Sequence, residues 1–274
     1  MAQVAHDAAA ESLKLRERRL KELVRSNAGP AVYDEWCRAL EALGKLDTGG
    51  CVAFLAEVAG AGPVLELAIG TGRVAIPLAR RGFDVHGIDA EPKMADELHA
   101  KPGGADIRVT VGDLTDVPVP GTFGLIFIVF NTFFGLPSLD DQRRCVSAVT
   151  RHLTDDGAFV VEVPYAAVRR FETSEARSLK KVELGDLTRV DIRTHDAARQ
   201  CVAHEHVLMG ADGVKISRYT NSYVSVEQLD EMAATAGLRL QERWGGWRRQ
   251  PLVDGCKDVI SVYRRREGGG VSRR

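Results

Sequence analysis

The 274-residue chain has few of the features that mark a specialised class, and each shortage removes a possibility. It carries 5 cysteines, Cys37, Cys51, Cys145, Cys201 and Cys256, scattered and without a Cys-x-x-Cys pair. An odd number of cysteines with neither a disulfide nor a zinc spacing reads as reduced thiols in a cytoplasmic protein without a metal site. The longest apolar run, near Leu125–Phe130, falls far short of the ~20 residues that cross a bilayer. The first residues, MAQVAHDAAAESLKLRERR, lack the apolar centre of a signal peptide. Excess charge is missing too: Lys+Arg 37 against Asp+Glu 38 gives a net charge of −1. That balance argues against a whole surface built for nucleic acid or an anionic membrane.

The balance is an average over unlike parts. Segment 11–25 carries +3, the tail 264–274 carries +4, and the remainder carries −8. An acidic partner such as a carrier protein therefore stays open for the basic ends, and nucleic acid is disfavoured for the body. Segment 11–25 reads as an amphipathic helix, and a second helical stretch follows around Val32, Trp36, Leu40 and Leu43. The hydrophobic share of 45% and charged share of 27% are those of an ordinary globular chain. Its length suits one large domain or two small ones.

From Pro63 the pattern alternates short β-rich runs with helical segments: VLEL, RVAIPLARR, FDVHGID, EPKMADELHA, IRVTVGD, GLIFIVF, DQRRCVSAVTRHL and AFVVEVP. Apolar runs separated by helices predict parallel strands buried on both faces, in an α/β, doubly wound fold with a mostly parallel Rossmann-like sheet. After Pro164 the alternation stops. Residues 179–223 read as three or four strands of an antiparallel insertion, with turn signals at Gly185–Asp186 and Asp212–Gly213. Ser225 and Gln228 form a capping-box pattern for a helix that Gly237 ends. Two strands near Leu238–Trp244 and Asp258–Tyr263 complete the sheet. The resulting division is N-terminal helices over 1–58 as a substrate cover, a core over 59–170, an insertion over 171–224, a returning helix and strands over 225–264, and a disordered tail over 265–274.

The most informative segment is Val64-Leu-Glu-Leu-Ala-Ile-Gly-Thr-Gly-Arg73. Gly70 and Gly72 allow a tight turn whose amides a ligand can approach. Gly70, Gly72 and Ala75, with Asp89 19 positions beyond Gly70, also fit a dinucleotide fingerprint. Three acids separate the readings. Glu66 near the end of the first strand suits an ammonium and would repel a pyrophosphate. Asp89, ending the second strand, can accept from two ribose hydroxyls. Asp113 after the third can accept from an exocyclic amine. Singly each reads equally well as a cap or turn former. Together they converge on one crevice beyond the carboxyl ends of the strands.

In this order ELAIGTGR, GIDAEPKM, GDLTD and LTDDGAFVVEVP resemble the class I S-adenosylmethionine-dependent methyltransferases, with Ala68 where that family usually has its first glycine. The resemblance implies S-adenosylmethionine as cofactor and methyl transfer as activity. It places the methionine part on Glu66 and the backbone at Ala68, Gly70 and Gly72, and counts Arg73 and Tyr33 among the cofactor-binding residues. It places the ribose on Asp89, the adenine on Ala90, Met94, Asp113 and Leu114, and the sulfonium above Phe130 and Asn131. Phe130 reads equally as plain core.

Methyl transfer needs alignment and water exclusion more than a strong base. An amine must still be unprotonated, and a hydroxyl needs a base. His204, His206, Tyr219, Tyr223 and Tyr165 are the candidates for that role. His204 and His206 share one strand face, with Glu205 on the other; plain exposed sheet histidines are the competing reading. Glu162 is taken to follow the fifth strand beside Tyr165. His152 reads as a helix-terminal histidine, and Trp244 and Trp247 as pocket-mouth or packing residues.

Asn131-Thr-Phe-Phe134 lacks the prolines found in base-modifying relatives, which favours a small-molecule acceptor. The overall layout is most similar to antibiotic-tailoring N-methyltransferases of aminosugars and glycopeptides. An amine of a secondary metabolite leads, with O- or C-methylation as the alternative. A homodimer is open. A nicotinamide-dependent oxidoreductase and a non-catalytic cofactor-binding protein are the readings from other classes.

Overall fold

The computed structural model describes residues 30–60, 62–165, 177–184, 187–211 and 213–266. These divide into two compact units. The larger takes its residues from 48–175, 195–202 and 220–274, the smaller from 1–47, 176–194 and 203–219. Segment 11–25 and residues 267–274 of the tail lie outside the described residues. Arg264 and Arg265, read from the sequence within or beside that tail, belong to the last strand.

The larger unit is built on a seven-stranded sheet. Its strands are β1 (Val64–Leu67), β2 (Val85–Asp89), β3 (Arg108–Val111), β4 (Phe123–Ile128), β5 (Leu153–Pro164), β10 (Leu238–Trp244) and β11 (Asp258–Arg265). The spatial order is β10-β11-β5-β4-β1-β2-β3. Strands β3, β2, β1, β4 and β5 are parallel to one another, whereas β11 is antiparallel to both β5 and β10. Every residue of β1 and β4 is buried, as the unbroken apolar runs predicted.

Each face of the sheet carries its own apolar cluster. Leu65, Leu67, Ile126, Phe159 and Val161 face α5 (Leu139–His152) and α6 (Val226–Thr235). Val64, Leu125, Phe127, Val160 and Ile260 face α2 (Thr48–Val58), α3 (Ala75–Ala79) and α4 (Pro92–Ala100). Helix α2 was grouped by sequence with the N-terminal cover. Its Cys51, Val52, Phe54, Leu55 and Val58 are instead buried in the second cluster, because its apolar side chains run almost all the way round. Helix ends follow local chemistry. Ser225 and Gln228 form both bonds of a capping box on α6, and Gly237 follows at φ +87°. Ser138 accepts from the Asp141 amide at the start of α5, where Asp140 and Asp141 face the positive end of the dipole. His152 ends that helix, its Nδ1 3.0 Å from the Gly121 carbonyl.

The smaller unit holds α1 (Pro30–Ala42) and most of a four-stranded sheet. That sheet runs β6 (Arg177–Leu184), β7 (Leu187–Asp196), β8 (Cys201–Gly210) and β9 (Gly213–Ser222), in sequence order. The β6–β7 pair is antiparallel, from Arg177↔Thr194 to Leu184↔Leu187.

Candidate active site

At the carboxyl end of β1 the chain passes through Ala68, Gly70 and Gly72, all left-handed, at φ +58°, +56° and +83°. An alanine in that region is sterically disfavoured, so the neighbours must hold the turn. They do so by hydrogen bonds. The Gly70 amide donates to Asp89 Oδ2 at 2.8 Å and the Ile69 amide to the Ile88 carbonyl at 2.9 Å. Lys101 Nζ donates to the Thr71 carbonyl at 2.9 Å. Gly87 in β2 makes room for the turn: a Cβ there would stand 2.3 Å from Ile69 Cδ1.

Asp89 ties two elements together, because its Oδ1 also accepts from the Glu91 amide at 2.9 Å, at the entry to α4. Glu91 caps that helix by accepting from the Lys93 amide, and Pro92 stands at its first position. Asp113 is exposed and closes its own turn, with Oδ1 accepting from the Thr115 amide at 2.8 Å. That bond holds its carboxyl below the usual range. Met94 and Leu114 are half-buried, and Ala90 is exposed. Tyr33 lies half-buried in α1, in the smaller unit.

Glu66 is buried in β1, and its Oε2 has no hydrogen-bond partner among the described residues. Burial pushes its carboxyl up to about 8, opposed by Arg73 and a bond from the Ala75 amide. An orphaned buried acceptor beside this left-handed turn is what a cationic, hydrogen-bonding ligand would complete. The residues therefore fit the ammonium end of S-adenosylmethionine.

Arg73 leads from the turn to β4. Its Nη1 donates to Thr48 Oγ1 at 2.9 Å, and its guanidinium stands 5.0 Å from the centre of the Phe130 ring. Phe130 and Asn131, just past β4, are two successive left-handed residues at φ +60° and +63°. The Phe130 amide donates to Glu162 Oε2 at 2.5 Å, and Trp247 Nε1 donates to Glu162 Oε1 at 3.1 Å.

Glu162 lies inside β5 rather than after it, which corrects the sequence reading: the strand continues to Pro164 because β11 pairs with it there. Burial raises its carboxyl, partly offset by the Phe130 bond. Trp247 is buried edge-on against Phe54, so it packs as well as bonds. It also borders a small cleft of about 250 Å³, shared with Gly49, Gly50, Ala53, Glu57, Arg248 and Arg249. Trp244 is half-buried and bonds Glu242 at 2.9 Å.

The five residues put forward for proton transfer do not form one group. In the smaller unit His204 stacks on Tyr219, with ring centres 4.6 Å apart, and His206 Nε2 lies 3.2 Å from the Tyr219 hydroxyl. Glu205 points to the other face and bonds Arg218 at 2.5 Å, as the alternation required. His206 Nδ1 meets the buried Asp191 at 2.6 Å, and Arg189 grips the same carboxylate with two bonds of 2.7 Å. Burial works against ionising Asp191, but those bonds hold its carboxyl low. Burial and Arg193 push His204 down to about 4, so it is neutral at pH 7.

Tyr223 does not join this group. It follows the end of β9, is buried in the larger unit, and lies 2.6 Å from His195. Tyr165 is half-buried against the larger unit's core, its amide donating to the Lys257 carbonyl at 3.0 Å. Sequence reasoning missed Asp191 and underused Glu162. A single charge inside an apolar strand was the available signal for the second.

Comparison with known proteins matches residues 64–157 to a methyltransferase-domain family model. The CcbJ methyltransferase of Streptomyces caelestis is 32% identical, with TM-score 0.73, over 80% of this chain and 89% of that one. The cypemycin N-terminal methyltransferase of a Streptomyces species is 25% identical over 243 residues, covering 86% of this chain and 98% of the relative. An S-adenosylmethionine-dependent methyltransferase from Clostridium acetobutylicum shares the fold, with TM-score 0.71 at 13% identity, over 85% of this chain and 98% of that one.

Proposed function

Since this chain belongs to the S-adenosylmethionine-dependent methyltransferases, we propose that it methylates an amine nitrogen of a small secondary metabolite. The observation that carries the methyl-donor site is Glu66, a buried carboxylate with one oxygen unpartnered among the described residues. Nitrogen is favoured by the relative named for methylating an N-terminus, which this chain matches along 98% of that protein's length.

When bound, the sulfonium supplies an electrophilic methyl and its own neutral leaving group. Glu66 accepts from the ammonium of the methionine part, with the turn at Ala68, Gly70 and Gly72 and the Arg73 side chain around the carboxylate. Asp89 takes the ribose hydroxyls with the lone pairs that Gly70 and Glu91 leave free. Asp113 and the Leu114 amide read the adenine edge, beside Ala90 and Met94. Phe130 and Asn131 border the reacting end. Phe130 is kept in register by the Arg73 guanidinium above its ring.

An acceptor amine must shed its proton to expose a lone pair. Of the five candidate groups, His206 is the one with an orienting carboxylate, Asp191, 2.6 Å from its Nδ1. S-adenosylhomocysteine at 100 times its Kd should raise the melting temperature by several degrees, since such an excess adds about 2.7 kcal/mol. NADH should leave it unchanged. Equal shifts with both ligands, or none with either, would overturn the donor assignment in favour of the oxidoreductase or non-catalytic reading.

The smaller unit carries exposed apolar side chains on both edge strands of its sheet, Leu179 on β6 and Val214 and Ile216 on β9. We propose that they meet a second copy of the chain, since exposed apolar edges promote strand association. Sedimentation should give twice the monomer mass, and Val214→Lys with Ile216→Lys should return the monomer. A wild-type monomer at tens of micromolar would exclude the dimer.

A further inference from the structure

We propose that Glu162 is a positioning residue for methyl transfer: its carboxylate, set inside the buried strand β5, holds the left-handed turn at Phe130–Asn131. The inference rests on the methyltransferase reading and extends it to a residue outside the cofactor motifs.

The turn needs holding. Two adjacent non-glycine residues sit at φ +60° and +63°, a region that side chains with a Cβ enter at a cost. Such conformations persist where surrounding contacts over-determine them, and they gather at functional sites. Neutral hydrogen bonds and a cation over the ring contribute here. Thr132 Oγ1 donates to the Val129 carbonyl at 2.9 Å, the Phe134 amide donates to the Asn131 carbonyl at 3.0 Å, and Arg73 lies over the Phe130 ring. The bond from the Phe130 amide to Glu162 Oε2 is different in kind, being short and made to a buried carboxyl group from another strand.

A carboxylate is an expensive choice for that position. Its strand neighbours on the same face, Ala158 and Val160, are buried and apolar. An apolar side chain would serve packing as well or better, because a buried ion repays its desolvation only through well-made bonds. Glu162 makes one such bond with each oxygen, to an amide after β4 and to the Trp247 indole from the β10–β11 connection. Arg73 attracts it and Asp258 on β11 repels it. The carboxylate therefore joins β5 to two loops at the carboxyl ends of the strands, where the reaction takes place. Its effect on the reaction passes through the Phe130 amide, so it positions and does not react.

The test compares Glu162→Gln, Glu162→Asp and Trp247→Phe in the full chain. Gln keeps the shape but must turn its NH2 toward one of the two donors. Asp keeps the charge and loses reach. Trp247→Phe removes the indole donor alone. Hydrogen exchange at Phe130 and Asn131 should accelerate at least tenfold in Glu162→Gln and Glu162→Asp, and less than threefold in Trp247→Phe. Calorimetric affinity for S-adenosylmethionine should stay within threefold of wild type in all three. On the amine selected by a radiolabelled-methyl screen, kcat should fall tenfold or more for the two Glu162 variants, with the cofactor KM nearly unchanged.

Unchanged exchange at the turn, or kcat within threefold of wild type, would overturn the proposal. So would parallel loss of cofactor affinity, which would make Glu162 part of cofactor binding. If Glu162→Gln does not fold, Glu162→Asp decides alone by the same readings. Failure of wild-type protein to bind S-adenosylmethionine would instead strike the underlying methyltransferase reading.

Discussion

Binding of S-adenosylmethionine at pH 7 should release close to one proton from the protein, and replacing Glu66 should abolish that release. In the free protein burial holds the Glu66 carboxyl at about 8, so it is mostly protonated at neutral pH. An ammonium placed on its unpartnered Oε2 favours the ionised form and expels the proton. Affinity should therefore weaken by up to about tenfold for each pH unit below 8. Calorimetry in buffers of different ionisation enthalpy measures the proton directly. Glu66→Gln should bind at least ~30-fold more weakly, the usual cost of truncating one side of a buried charge pair, and its affinity should no longer follow pH. No proton release by the wild-type protein would show that the ammonium lies elsewhere.

The same shift acts on the fold. A carboxyl raised in the folded state binds more protons there than in the unfolded chain between its ordinary value of 4.5 and about 8. The free protein should thus lose part of its stability as pH rises through that window, and the ligand should restore it.

Asp89→Ala should damage both folding and binding. The side chain is 9% exposed and accepts the Gly70 and Glu91 amides, one on each oxygen. Removing it leaves two donors unsatisfied and frees a turn that contains a left-handed alanine. Two lost charge-assisted bonds amount to about 3 kcal/mol or more, a fall of roughly 6–12 °C in melting temperature for a chain of this size. Cofactor affinity should drop at least tenfold in the same protein below its melting range. A melting temperature within 2 °C of wild type, or unchanged affinity, would show that Asp89 is not the joint between turn and ribose site. Asp89→Asn separates the effects: it preserves volume and one acceptor, so it should lose less stability than Asp89→Ala while still losing affinity.

The elements of the larger unit were legible because their chemistry is local. VLEL and GLIFIVF could scarcely be anything but buried strands, and Ser225 with Gln228 announced a helix that begins there. The three strand-end acids could be read as a group because parallel strands end along one edge of the sheet. Tertiary partners were harder to read. Nothing local to FVVEVP says that β11 extends the strand past Glu162, or that Phe130 and Trp247 lie on its two oxygens. Helix α2 was assigned to the cover because its neighbours are helical, whereas its near-uniform apolar surface required a core. Tyr223 was read as the last residue of the insertion's strands, but the strand stops at Ser222. Asp191 emerges as the orienting partner of His206 through a cross-strand contact between β7 and β8, fifteen residues apart in the chain.

The contact between Gly87 and Ile69 also limits how this sequence can drift. A methyl at position 87 would stand 2.3 Å from Ile69 Cδ1 and 2.6 Å from its Cβ, too close even after a rotamer change. Alanine at 87 therefore becomes tolerable only once position 69 has lost its Cβ as well, which means glycine, and glycine at 69 leaves a gap until 87 fills it. Descendants of this chain must change the pair in that order or keep both. In redesign, positions 69 and 87 form a single variable.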